Sequence, residues 1–117
     1  VKVLVCGGRD FGDTEAVYAA LEAINAKQKI TFIVTGDATG ADVRAKWWAH
    51  NRCAGGYAIY HAPWPLRGLI AGPIRNQRML DDNPDIALVV AFPGGKGTAD
   101  MVRRARKKGI EIKEIGK

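Results

Sequence analysis

Apolar positions along this chain come in short runs, separated alternately by glycine-rich turns and by stretches with helical spacing. Val1 to Val5 is a short apolar run ending in Gly7-Gly8, the pattern of a buried strand. Asp13 is placed to cap a helix running to about Lys27, with Val17, Leu21 and Ile24 on one face. Ile30 to Val34 is a β-branched second strand. Gly36 to Gly40 turns the chain into a helix over about Ala41 to Arg52, which Gly55-Gly56 ends, and Tyr57 to Tyr60 is a short third strand. Residues 61–72 form a loop rich in Pro and Gly. Pro73 suits the first position of a helix reaching about Leu80, and Asn83-Pro84 breaks it. Ile86 to Phe92, the longest apolar run, predicts a central strand. Pro93 to Gly97 is a turn, Thr98 to Lys108 a helix and Gly109 its terminator. Ile110 to Ile115 alternates Ile with charge, as an edge strand does.

Strands alternating with helices in this way predict an α/β fold. The expectation is a single Rossmann-like doubly wound domain over 1–117, with about five mainly parallel strands and helices on both faces. In the order 3-2-1-4-5, strands 2, 1 and 4 are neighbours. Their following turns then rim one crevice where the strand order reverses, the place where such sheets bind ligands.

Three of those turns are rich in glycine: Gly7-Gly8-Arg9-Asp10, Gly36-Asp37-Ala38-Thr39-Gly40 and Pro93-Gly94-Gly95-Lys96-Gly97-Thr98. Glycine lets backbone approach a ligand closely, and the first N–H groups of a helix lack internal partners. The aligned peptide dipoles add partial positive charge at that end, so phosphate suits all three properties. Thr98 can donate its hydroxyl, and Lys96 or Arg9 can add charge. Neither G-x-x-x-x-G-K-[ST] nor G-x-G-x-x-G after the first strand is present, which disfavours an ordinary P-loop NTPase or NAD-binding domain. The alternative purpose of these glycines is structural, since tight turns between strand and helix need them anyway.

Charge is consistent with an anionic partner without naming one. Eighteen Lys+Arg against twelve Asp+Glu leave a formal charge of +6, which suits an anionic ligand, nucleic acid or simply a solvated basic face. Cys6 and Cys53 form no CxxC pair and no Cys/His cluster has zinc spacing, so no metal site is expected and no cofactor is assigned. Two reduced thiols imply a cytoplasmic protein. No apolar run approaches the ~20 residues that span a bilayer, so no membrane association is expected.

Pro93-Gly94-Gly95-Lys96-Gly97-Thr98 resembles the P-G-G-x-G-T motif of the SLOG superfamily. That group holds the LOG phosphoribohydrolases, the DprA/Smf DNA-processing proteins and the YpsA/YspA-like domains. The likeness extends over nearly the whole chain. Val3 to Phe11, Gly40-Ala41-Asp42, Pro73-Ile74-Arg75-Asn76 with Arg78-Met79, and Val89 to Phe92 leading into the motif resemble the YspA-like branch, also called DUF2493. The resemblance implies a Rossmann-like sheet, a nucleotide-type ligand and, from LOG-like relatives, a homodimer or larger homo-oligomer. LOG enzymes cleave the N-glycosidic bond of a nucleoside monophosphate. Their motif ends in a glutamate three residues after the threonine; Met101 stands there, with Asp100 one residue earlier. Arg75 falls on the functional arginine of the neighbouring R-K-x-x-M pattern. In the second turn, G-G-A-x-G-A-D is expected and Asp37 replaces its second glycine, either to accept a ribose hydroxyl or because that turn does not face phosphate.

Three functions follow as expectations. The first is binding of a phosphate-bearing nucleotide or derivative, as a sensor, carrier or sequestering module, by Gly7, Gly8, Arg9, Asp10, Gly36, Gly40, Asp42, Arg75, Asn76 and the Pro93 to Thr98 turn. The second is LOG-like hydrolysis, with Arg75 orienting the substrate and Asp100 stabilising a developing ribose cation. The third is DprA-like binding of single-stranded nucleic acid through Arg103, Arg104, Arg106, Lys107 and Lys108. Each residue also has a structural reading: Asp100, Asp42 and Asp10 as helix-start or turn carboxylates, Arg78 as solvated surface and His61 as a loop residue. Trp48 reads as core, Trp47 as a candidate subunit contact and Trp64 as a base-stacking candidate or ordinary packing.

Overall fold

The computed structural model describes residues 1–62 and 70–116. The elements alternate strictly: β1 (Lys2–Cys6), α1 (Thr14–Lys27), β2 (Phe32–Gly36), α2 (Ala41–Arg52), β3 (Tyr57–Tyr60), α3 (Ala71–Asp82), β4 (Ile86–Ala91), α4 (Lys96–Lys107) and β5 (Glu111–Glu114). All neighbouring strands pair in parallel, in the order β3-β2-β1-β4-β5. This is a Rossmann-like sheet whose order reverses between β1 and β4.

The period of two along β1 sorts its side chains into two cores. Val3 and Val5 face a layer built with Val17, Leu21 and Ile24 of α1 and Ala45, Trp48 and Ala49 of α2. Leu4 and Cys6 face the opposite layer, with Met79 and Leu80 of α3 and Met101, Val102 and Ala105 of α4. Helices α1 and α2 therefore cover one face and α3 and α4 the other. β4, the longest run in sequence, sits between β1 and β5 and contributes Val90 to one core and Val89 and Ala91 to the other.

Several boundaries differ from the sequence expectation. α3 begins at Ala71, so Pro73 is its third residue. That position tolerates proline because first-turn N–H groups have no helical acceptor. α4 begins at Lys96, with Gly95 as its N-cap, so Gly97 lies inside the helix despite its poor propensity. β1 and β2 each start one or two residues later than expected, at Lys2 and Phe32, and run on into the glycine turns. Trp48 is buried and Trp47 is exposed, with the Arg44 guanidinium 5.5 Å from its ring centre. Trp64 lies outside the described residues.

Candidate functional site

A cleft of about 740 Å³ opens at the carboxyl ends of β1, β2 and β4, where the strand order reverses. Its walls are the three glycine-rich turns and α3. The β1 turn brings Gly7, Gly8, Arg9 and Asp10 to the lining. The β2 turn and α2 bring Gly36 and Asp42, and α3 brings Arg75 and Asn76. The β4 turn and the start of α4 bring Pro93, Gly94, Gly95, Gly97 and Thr98. Gly40, Lys96 and Asp100 are not among the lining residues. Sequence reasoning missed the apolar floor: Val5, Cys6, Phe11, Met79 and Met101, with Phe11 tilted against Phe92 at 5.5 Å. The signal for Phe11 was its position immediately after the first turn.

The turns are held together by backbone. The Gly8 N–H donates to the Pro93 carbonyl at 2.9 Å, joining the β1 and β4 turns. A β-carbon on Gly94 would overlap the Thr98 hydroxyl and the Gly8 amide, so this glycine is required by packing. Gly95 and Gly97 are different. A β-carbon there meets nothing within 4 Å, and neither residue has positive φ. Neither packing nor backbone geometry demands glycine at these two positions. What glycine does there is leave the first turn of α4 accessible on its cleft side.

That turn also lacks the usual cap. α1 is capped by Asp13, whose Oδ1 accepts from the Ala16 N–H at 3.0 Å. None of α2, α3 and α4 has a side-chain cap, and α2 and α4 have glycine, Gly40 and Gly95, at the N-cap. An N-terminus without a capping oxygen, carrying partial positive charge, is a site for an external anion. Gly97→Ala is expected to separate these properties. Alanine should raise stability by up to ~1 kcal/mol through helix propensity, and it should weaken anion binding about tenfold by crowding the amides. Urea unfolding and calorimetry on the variant measure the two effects.

Arg75 is held in place from both sides. Its Nε donates to Asn76 Oδ1 at 3.2 Å and its Nη1 to Asp37 Oδ1 at 3.0 Å. His61 Nδ1 lies 3.1 Å from the other Asp37 oxygen. Asp37 is thus engaged with Arg75 and His61 and is not among the lining residues. Asn76, almost wholly buried, donates to the Gly97 carbonyl and to Asp100 Oδ2, tying α3 to the start of α4. Arg78 is exposed and does not line the cleft.

Asp100 is the fifth residue of α4, past its first turn, because the helix starts two residues before Thr98. Its carboxylate accepts from Asn76, Arg103 and Arg104 at 2.7–3.0 Å. Burial opposes its ionisation, but hydrogen bonds from Arg104 and Asn76 and the charges of both arginines outweigh this and hold the carboxyl below its ordinary range. The basic cluster is also engaged: Arg106 pairs with Glu114 and Lys108 with Asp81.

Asp42 is the unusual group. It is 4% exposed and lines the cleft. Its Oδ2 accepts from the Ala38 N–H at 3.2 Å, while Oδ1 has no hydrogen-bond partner among the described residues. Burial pushes this carboxyl up to about 6, against the opposing pull of the Ala38 N–H, the Arg75 charge and the nearby Thr35 hydroxyl, whose own proton goes to the Val5 carbonyl. The Cys6 thiol beneath it is pushed up to about 12, chiefly by burial, which keeps it protonated and unreactive.

Residues 1–55, from β1 to the end of α2, match the profile of the YAcAr family, described as the YspA, cpYpsA-related SLOG family. The chain is also 33% identical to the Gene 61 protein of Mycobacterium phage D29 over 122 residues, covering 98% of this chain and 96% of the relative. The chain belongs to the YspA, cpYpsA-related SLOG family. The family match takes in the β1 turn, the β2 turn and Asp42. The likeness to the phage relative continues through the half of this SLOG chain that carries Arg75 and the start of α4. Among the described residues no His/Cys/Asp/Glu group can hold a metal ion, and no helix is long and apolar enough to cross a membrane.

Proposed function

We propose that this chain binds a phosphate-bearing nucleotide or nucleotide derivative in the cleft between β1 and β4, as a sensor, carrier or sequestering module. The observation that carries the reading is the first turn of α4. It lines the cleft, has no side-chain cap, and leaves open space over Gly95 and Gly97. Arg75 supplies charge from the facing helix, and Arg9 stands exposed at the mouth. The apolar floor around Phe11 and Met79 offers a surface for a base.

Binding without cleavage is favoured over hydrolysis. The family's glutamate position holds Met101, and Asp100 is committed to Asn76, Arg103 and Arg104. Nucleic-acid binding through α4 is disfavoured in the same way, since Arg103, Arg104, Arg106 and Lys108 are all paired with acidic side chains.

A thermal-shift panel of AMP, ADP, ATP, ADP-ribose, cyclic nucleotides and NAD tests the reading. A ligand at ~100 times its dissociation constant adds about 2.7 kcal/mol, a shift of several degrees for a domain this size. A selective shift that Gly95→Asp abolishes is the expected result. Silence across the whole panel would overturn the proposal.

A further inference from the structure

The cleft has two chemically different ends. At the α4 end, helix-start amides and the Thr98 hydroxyl suit an acceptor-only group such as phosphate. At the other end lies Asp42, a carboxylate that would repel phosphate. Its Oδ1 is buried at the cleft wall with no partner among the described residues, a costly arrangement unless something fills it. Arg75 stands beside it. A β-carbon added to Gly36 would lie 2.8 Å from both Asp42 Oδ2 and Arg75 Nη1, so the carboxylate and the guanidinium flank the same small space.

An acceptor and a donor side by side select a particular chemistry. Phosphate only accepts and is refused by Asp42. An amino group on a base only donates, and gains nothing from Arg75. A hydroxyl does both. We propose that Asp42 Oδ1 takes a hydrogen bond from a ribose hydroxyl of the bound nucleotide, with Arg75 donating to the same sugar, so that the cleft selects ribonucleotides over deoxyribonucleotides. This rests on the nucleotide reading above and assigns the orientation of the ligand: phosphate on α4, sugar against α2 and α3. The Ala38 N–H, which donates to Oδ2, leaves Oδ1 as the oxygen that meets the sugar.

Calorimetry with AMP, 2′-deoxy-AMP and 3′-deoxy-AMP tests the assignment on the unmodified chain and on Asp42→Asn. A hydrogen bond to a charged acceptor corresponds to about tenfold or more in affinity. AMP should therefore bind the unmodified chain about tenfold tighter than at least one deoxy analogue, and Asp42→Asn, which offers the hydroxyl only a neutral partner, should sharply reduce that preference while still binding the deoxy form. Equal binding of all three by the unmodified chain would overturn the ribose assignment and leave the nucleotide reading standing. A preference that survives undiminished in Asp42→Asn would also overturn it, because the carboxylate would then not be what reads the hydroxyl. Binding of none of them would end both. A second readout needs no variant: the AMP to deoxy-AMP affinity ratio between pH 5 and 8. The phosphate's own titration cancels in the ratio. The charged and titratable groups facing Asp42 are Arg75 on α3, Asp37 on the β2 turn with His61 beyond it, and Cys6 on β1, which stays protonated throughout. The ratio should shrink as the pH falls below about 6, and a ratio flat across the range would overturn the proposal.

Discussion

Gly40→Ala is expected to cost about 3 kcal/mol or more of folding stability, because its β-carbon would be driven into backbone. Gly40 is the N-cap of α2 and lies against the β1 turn. An added β-carbon would overlap the Gly8 carbonyl oxygen and come within 2.8 Å of the Arg9 carbonyl carbon and oxygen. No flexible side chain can move aside to make room. The same contact is fastened by the Thr39 hydroxyl donating to the Arg9 carbonyl at 3.1 Å, and by the Ala41 N–H donating to the Gly8 carbonyl at 3.4 Å. Relief would have to come from separating the β1 turn from α2, which would also displace Gly8 and Arg9 from the cleft. Urea unfolding should show the loss, and the nucleotide response should fall with it. A loss below ~1 kcal/mol would mean that the two turns are not packed as described.

Asp42→Asn is expected to move stability in the opposite direction, by about 3 kcal/mol at pH 8. Burial raises the carboxyl from its ordinary 3.8 to about 6, so the folded protein binds this proton more tightly than the unfolded chain does. The stabilising contribution of the protonated form is therefore complete below about pH 4. It is lost as the pH rises through 6, and above that the buried charge carries its full cost. Asparagine removes the charge and keeps an oxygen for the Ala38 N–H. The gap between variant and unmodified chain, read by urea unfolding, should be widest at pH 8 and close toward pH 4. A variant less stable than the unmodified chain at pH 8 would show that Arg75 already compensates the charge. A group kept at such a cost in stability fits a role in binding better than one in folding.

Much of this arrangement was legible in the residues. The alternation of apolar runs with helical spacing led to the parallel sheet, and the positions of the glycine turns led to the crevice between β1 and β4. The α1 cap was readable because Asp13 is a capping residue three positions before the amide it accepts from. The start of α4 was not, because Gly97 reads as turn while the open N-terminus of the helix in fact takes it in. The roles of the carboxylates were hidden for a different reason. Asp37, Asp42 and Asp100 all stand near a helix start in sequence. Only the three-dimensional placement of Arg75, Asn76, Arg103 and Arg104 satisfies Asp37 and Asp100 and leaves an oxygen of Asp42 without a partner. Arg103 and Arg104 stand three and four residues after Asp100 on α4, a spacing the sequence does show, but Arg75 and Asn76 come from α3, where local pattern carries no information about pairing with Asp37 or Asp100.

The central claim is that the ligand's phosphate sits on the first turn of α4. Titrating AMP into isotopically labelled protein and following backbone amides by NMR tests this most directly. The largest shifts should fall on Gly95, Lys96, Gly97 and Thr98, with smaller ones on Gly7 and Gly8 across the cleft. Shifts confined to the basic end of α4, around Arg104 to Lys108, would contradict the claim and place the anion at the opposite end of the helix.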